Sequence, residues 1–323
     1  MKRILVTGGA GFVGSHLIDR LLAKGYFVVC IDDLSLGRVS NIGHHLGNGR
    51  FKFIQMDMLD RTRLRRVFRR FGFGCVFHMA ANSDIQKGWR CPETDLEKTF
   101  LTTFAALECM RLEKVKEIVF ASSSAIYGEL DERLKENSGP LFPASFYGAA
   151  KLASEGYIAA SCAAGMKAWI IRFPNVIGER ATHGVMYDFV RKLKKDPRRL
   201  VILGNGKQKK PYLYVKDVVD GILFAWRNSN KPVNCFNLGV TDSTSVSEIA
   251  GIVTEAMGLE NVRLQYTGGA KGWVGDIPRF SYDVSKLAKL GWKAKKTSTE
   301  SVRHAIKAYL GEIGGRAKIS CGR

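Results

Sequence analysis

The sequence predicts an α/β protein, a doubly wound parallel sheet with helices on both faces followed by a smaller C-terminal α/β lobe. Three observations predict it. Short Val/Ile/Phe-rich runs alternate with longer amphipathic stretches through the first half of the chain. A glycine-rich turn joins the first such run to the first amphipathic stretch, and the regular rhythm gives way to shorter, mixed elements after Arg172.

Taken in order, the apolar runs place strands near 2–7, 26–31, 51–56, 75–79, 116–121 and 167–172. The amphipathic stretches place helices near 12–24, 60–70, 93–113 and 146–163. Beyond Arg172, a helix is expected at 184–195, short strands at 200–203 and 211–214, and helices at 216–227 and 246–257. The expected division is a sheet domain over 1–173, rejoined by the chain near 212–243, and a second lobe from 174–211 and 244–310. Residues 311–323 are rich in Gly, Lys and polar side chains and read as a mobile basic tail.

A chain of 323 residues that is 46% apolar can bury a large core. It has no run approaching the ~20 apolar residues of a membrane span. Met1-Lys2-Arg3 and the apolar residues after it imitate a secretory signal, but Gly8, Gly9, Gly11 and Gly14 interrupt the run, so the segment reads as part of the fold. The seven cysteines (Cys30, Cys75, Cys91, Cys109, Cys162, Cys235 and Cys321) are odd in number and contain no C-x-x-C pair, which points to a reducing cytoplasm. His16, His44, His45, His78, His183 and His304 show no ligand spacing with one another or with the cysteines, so no metal is expected.

The net charge of +20 suits an anionic partner. Its densest segment, with Arg61, Arg63, Arg65, Arg66, Arg69 and Arg70, also carries Leu59, Leu64, Val67, Phe68 and Phe71 at helical spacing. It therefore reads as the solvated face of an amphipathic helix. No nucleic-acid motif accompanies it, and no specific nucleic-acid partner is expected.

Thr7-Gly8-Gly9-Ala10-Gly11-Phe12-Val13-Gly14-Ser15 lies between the first strand and the first helix. Glycines at 8, 11 and 14 permit a tight turn, close approach of backbone N–H groups to a pyrophosphate, and helix-on-strand packing. Asp32, eighteen residues beyond Gly14, ends the second strand, where a carboxylate accepts from an adenosine ribose and repels a 2′-phosphate. This is a Rossmann-type dinucleotide site that favours NAD over NADP; Arg38 is the residue that would argue for the latter.

Ala121-Ser122-Ser123-Ser124-Ala125-Ile126-Tyr127-Gly128 follows the fifth strand and brings its hydroxyls to the sheet's C-terminal edge. Tyr147 and Lys151, four apart, share one face of a helix, where an ammonium stabilises a phenolate. With these residues the chain resembles the extended short-chain dehydrogenase/reductases from Lys2 to about Leu310, and among them the UDP-glucose 4-epimerase group of nucleotide-sugar epimerases.

The resemblance implies Tyr147 as general acid/base, Lys151 as its electrostatic partner and ribose ligand, and Ser123 as the hydrogen-bonding hydroxyl, assisted by Ser124. It implies NAD contacts from Gly8, Gly11, Phe12, Val13, Gly14, Asp32, Asp57, Met58, Ala80 and Ala81, with Phe173 and Pro174 beside the nicotinamide. Asn175 would bind the diphosphate of a nucleotide-sugar substrate. The family's dehydratases and decarboxylases carry an acidic residue before Tyr127, where this chain has Ser124 and Ala125; simple C4 epimerisation is therefore implied.

Departures fall around the substrate. Lys210 and Trp273 stand where arginine is common, Lys271 is the compensating cation, and Thr99 replaces a frequent asparagine. Phe280 would limit the sugar pocket and favour a plain hexose over an N-acetylated one. A homodimer through the helices of Phe100, Phe104, Leu107 and Ile158 is also implied.

Overall fold

The computed structural model describes residues 2–130, 133–273 and 275–320, with side chains up to residue 313. Seven parallel strands form the main sheet in the order Val233–Asn237, Lys167–Phe173, Glu117–Ser123, Cys75–His78, Arg3–Thr7, Phe27–Asp32, Phe51–Gln55. The strand order reverses between Arg3–Thr7 and Cys75–His78, which opens a crevice at their C-terminal ends.

Because both faces of the sheet are covered, its central strands are largely apolar while successive side chains enter different cores. Ile4, Val6, Val28, Cys30 and Phe77 pack under helices Phe12–Ala23 and Val215–Asn228. Leu5, Val29, Ile31 and Val76 pack under Arg61–Phe71, Thr102–Leu112 and Phe146–Ala163. The arginines of Arg61–Phe71 stay outside: Leu64, Val67 and Phe68 are its buried face, and Arg65 and Arg69 both reach Glu113.

The six strands and the helices predicted in the first half lie within a few residues of their expected bounds, with one informative exception. The single helix expected at 93–113 is broken into Pro92–Asp95, a π turn at Leu96–Leu101, and Thr102–Leu112. Threonine hydroxyls compete with the backbone ladder here: Thr102 Oγ1 donates to Lys98 O at 2.9 Å and Thr103 Oγ1 to Thr99 O at 2.8 Å. The strand Val233–Asn237 was not expected, because Asn234 and Asn237 interrupt its apolar pattern. Both side chains are buried and hydrogen-bonded, Asn234 to Ala168 O and Asn237 to Leu134 O.

The smaller lobe has its own core, formed by Met186, Phe189 and Leu193 of one helix, Ile249 and Val253 of a second, and Val302 and Ile306 of a third. That third helix, Ser298–Ser320, runs through the start of the segment expected to be a mobile tail. Ile313 packs on the lobe core and Glu312 accepts from the Arg180 N–H at 2.9 Å, so apolar and polar contacts both hold the helix past residue 311. The last residues of the expected tail, 321–323, lie outside the described residues.

Candidate active site

A cavity of about 930 Å3 runs along the sheet's C-terminal edge and into the cleft against the smaller lobe. Its floor at one end is the glycine turn. Gly8 has φ +63, and a Cβ there would stand 2.7 Å from the Ala80 backbone; a Cβ on Gly14 would stand 2.2 Å from Gly8 O. Nothing larger than glycine fits at either position without moving backbone. Gly11 caps the first helix with no side-chain hydrogen bond, and the first helical turn carries no acidic residue. Phe12, Val13 and Gly14 line the cavity, so this uncapped positive helix end faces the space a pyrophosphate would fill.

Asp32 sits at the end of its strand, nearly buried, with Oδ2 accepting from Ala10 N–H at 2.9 Å and Oδ1 from Leu34 N–H at 2.8 Å. Burial raises its pKa above the usual carboxylate value, against the pull of these N–H groups. A Cβ on Gly37 would stand 2.6 Å from Asp32 Oδ1, so the loop closes directly over the carboxylate. Arg38 is exposed and does not line the cavity, whereas Asp32 does. Asp57, Met58, Ala80 and Ala81 line the same end. Sequence reasoning missed Lys98, which the π turn delivers here: its Nζ lies 2.5 Å from Asp57 and 2.9 Å from Asp33. The residues present fit a dinucleotide.

Ser123, Tyr147 and Lys151 line the middle of the cavity, next to Phe173 and Pro174. Ser123 ends the fifth strand, and Tyr147 and Lys151 rise on Phe146–Ala163, whose N-cap Ser145 accepts from Gly148 N–H. Tyr147 hydrogen-bonds with Ser123, yet burial pushes its phenol up to about 12. Lys151 is 1% exposed and burial lowers it to about 7. Its Nζ donates to Ala121 O at 2.6 Å and lies 5.7 Å from the Tyr147 ring centre. The lysine is thus locked beside the tyrosine. His78, fully buried between Thr7 and Thr103 hydroxyls, is depressed to about 3 by burial and by Lys151, so its imidazole stays neutral.

Buried behind them is Asp95, whose Oδ1 accepts from Asn82 Nδ2 at 2.9 Å and whose charge raises both Tyr147 and Lys151. Thr99 is buried and accepts from Asn82 N–H at 3.1 Å; it does not line the cavity.

At the far end, Ser124, Asn175, Lys210 and Phe280 line the wall. Phe280 packs 5.6 Å from Tyr282, ring centre to ring centre. Lys210 is paired with the buried carboxylate of Asp276, whose Oδ2 accepts from Gly272 N–H at 2.9 Å. Lys271 is not among the lining residues; its ammonium turns to Glu129 at 2.5 Å instead, so the expected compensating cation is spent at the surface. Trp273 does line the cavity and stands edge-on to Trp89. Arg191, Lys192 and His183 also line this end; they lay in a helix and loop that carried no motif.

A nucleotide cradle sharing one cavity with a Ser/Tyr/Lys set defines a class of NAD-dependent enzymes. A family model described as the NAD dependent epimerase/dehydratase family matches residues 4–239. The UDP-glucose 4-epimerase of Mycolicibacterium smegmatis is 30% identical, over 95% of this chain and 98% of its own. The structure of the Thermus thermophilus UDP-glucose 4-epimerase complex with NAD aligns with TM-score 0.85 and 32% identity, over 96% of this chain and 99% of that one. A dTDP-glucose 4,6-dehydratase from Streptomyces venezuelae, with NAD bound, aligns with TM-score 0.88 and 25% identity over 97% and 98%. The chain belongs to the NAD-dependent epimerase/dehydratase family, the nucleotide-sugar enzymes, and NAD is its cofactor.

Proposed function

We propose that this chain inverts C4 of a UDP-hexose, interconverting UDP-glucose and UDP-galactose through a 4-keto sugar. One observation carries the reading: Tyr147 and Ser123 share a cavity wall with the glycine cradle, and the loop after Ser123 offers no acid at Ser124 or Ala125 for dehydration or decarboxylation. Bound NAD supplies reversible hydride exchange at the sugar carbon. Tyr147 takes the C4 hydroxyl proton and returns it after the keto sugar turns over; Ser123 holds the same hydroxyl, and Lys151, which burial lowers to about 7, supplies positive charge beside the phenol in its protonated form.

The cofactor is held by residues 1–173 with the returning segment 212–243, and the substrate by 174–211 and 244–310. Asn175 and Lys210 face the diphosphate, and Phe280 limits the sugar pocket to a plain hexose. The protein is proposed to work in a reducing cytoplasm; its described cysteines are all free, and no helix among the described residues is long and apolar enough to cross a membrane. It is proposed to form a homodimer through Phe100, Phe104 and Tyr157, whose rings pack edge-on, Tyr157 being half exposed; Leu107 and Ile158 are buried against the sheet.

The test incubates the protein with UDP-glucose, UDP-N-acetylglucosamine and UDP-glucuronate and identifies products by NMR. UDP-galactose from UDP-glucose, without free NADH, is expected. A dehydrated or decarboxylated product, or equal turnover of the N-acetylated sugar, overturns the epimerase or the Phe280 assignment respectively.

A further inference from the structure

Outside the motif residues, the fold joins side chains that sequence spacing left apart. Asp19 lies in helix Phe12–Ala23, and His44 and His45 form the short turn Gly43–His45 that packs beside it. Both imidazoles converge on one atom: His44 Nε2 lies 3.0 Å and His45 Nε2 2.7 Å from Asp19 Oδ1. The three ligand atoms all fall within 4.8 Å of one another.

We propose that Asp19, His44 and His45 form a binding site for one divalent transition ion of the Zn2+ type. Two imidazole nitrogens and a carboxylate oxygen are the borderline donors that such ions take in preference to Mg2+ or Ca2+. Three protein ligands leave a fourth tetrahedral position for water. The other carboxylate oxygen, Oδ2, forms an ion pair with Arg180 Nη1 at 2.9 Å, which leaves Oδ1 to the imidazoles. Against the raising effect of burial, Arg180 and the two imidazoles hold the Asp19 pKa below the ordinary carboxylate value, while the charge of Arg180 opposes a dication and weakens its binding. His44 is half exposed, so the ion exchanges with solvent without unfolding.

The site has a structural consequence. It fastens the turn 43–45 to the first helix, and between these anchors run Asp33, Ser35, Leu36 and Gly37, which line the adenosine end of the cavity. A bound ion therefore braces the loop that covers Asp32.

The experiment titrates Zn2+ into the untagged full-length protein against a chromophoric chelator, with Co2+ as a spectroscopic probe. One equivalent per chain with visible Co2+ bands is expected, weakened at least tenfold in the His44→Ala/His45→Ala variant and retained in His304→Ala. Circular dichroism checks folding; if the double variant unfolds, His44→Ala alone, at a half-exposed position, serves in its place. Absence of a micromolar site in the parent protein overturns the proposal. So does a site of unchanged affinity in the variant, which would move the ion elsewhere, to exposed Cys91 for example.

Discussion

Arg172 grips Glu155 in a buried fork, Nε to Oε1 at 3.0 Å and Nη2 to Oε2 at 2.6 Å. Glu155 lies one helical turn beyond Lys151, and the remaining Arg172 nitrogen, Nη1, reaches the Tyr127 hydroxyl at 2.9 Å. Ser122 Oγ adds a hydrogen bond to Glu155, and the Tyr127 hydroxyl donates to Asn237. One ion pair therefore ties the helix of Tyr147 and Lys151 to two strands and to the loop after Ser123. Arg172→Met leaves a buried carboxylate without its partner and is expected to cost about 3–5 kcal/mol of stability. Arg172→Met/Glu155→Leu should recover much of that loss. Chemical denaturation of the three proteins checks this, and equal stability of the two variants would show that the fork is not the organising contact.

Cofactor-free protein should show the buried lysine in its pH-stability profile. Lys151 is depressed to about 7 in the fold from an ordinary value of 10.5. Between these values the unfolded chain binds a proton that the folded one does not, so stability rises with pH across that window; below it both states are protonated and the dependence vanishes. Lys151→Met, which keeps the packing, should lack the rise. Parallel urea melts of both proteins from pH 6 to 10 check it, and superimposable slopes would mean that the ammonium is not desolvated.

Burial pushes the Tyr147 phenol up to about 12, so the proposed role near neutrality requires positive charge beside it, which bound NAD would supply. Tyr147→Phe removes the proposed proton-transfer group and leaves the cradle intact. Turnover is expected to fall roughly 10²- to 10⁴-fold with NAD affinity nearly unchanged. Steady-state rates together with NADH fluorescence titration separate the two effects; a variant that turns over normally would remove Tyr147 from the chemistry.

Much of the fold and of the candidate site was legible in sequence because the residues proposed for the chemistry also shape the fold. The glycines that make the cradle also mark the strand-to-helix turn, and Tyr147 and Lys151 share a helix whose i, i+4 spacing needs no tertiary information. Lys98 was not legible, since it lies in a π turn and is aimed at Asp57 by tertiary structure. Nor was Lys271 as a surface residue, because only the fold reveals Glu129 within reach. Long-range ion pairs decide which lysines face the cavity, and such pairs leave no local pattern.

Asp32 tests cofactor choice. Its two oxygens are aligned by Ala10 and Leu34 N–H groups, and Arg38 is turned outward. Asp32→Ala should weaken NADH roughly 10- to 100-fold, the loss expected for hydrogen bonds to a charged group, and should weaken NADPH far less. Fluorescence titration of both nucleotides gives the ratio, and an unchanged preference would place the discrimination elsewhere.

In the proposed reading the diphosphate is met by Lys210, where arginine-based recognition would place a fork. Lys210 spends one donor on Asp276 and keeps its ammonium on the cavity wall, fixed by a carboxylate that is itself held by Gly272 N–H. A positioned point charge supports both ground and transition states equally, because the diphosphate carries the same charge throughout the reaction. Lys210→Met should therefore raise KM for the nucleotide sugar about 10- to 100-fold while kcat stays within about threefold, and UDP inhibition should weaken in parallel. A fall in kcat at constant KM would mean that Lys210 acts on the reacting sugar and not on its diphosphate.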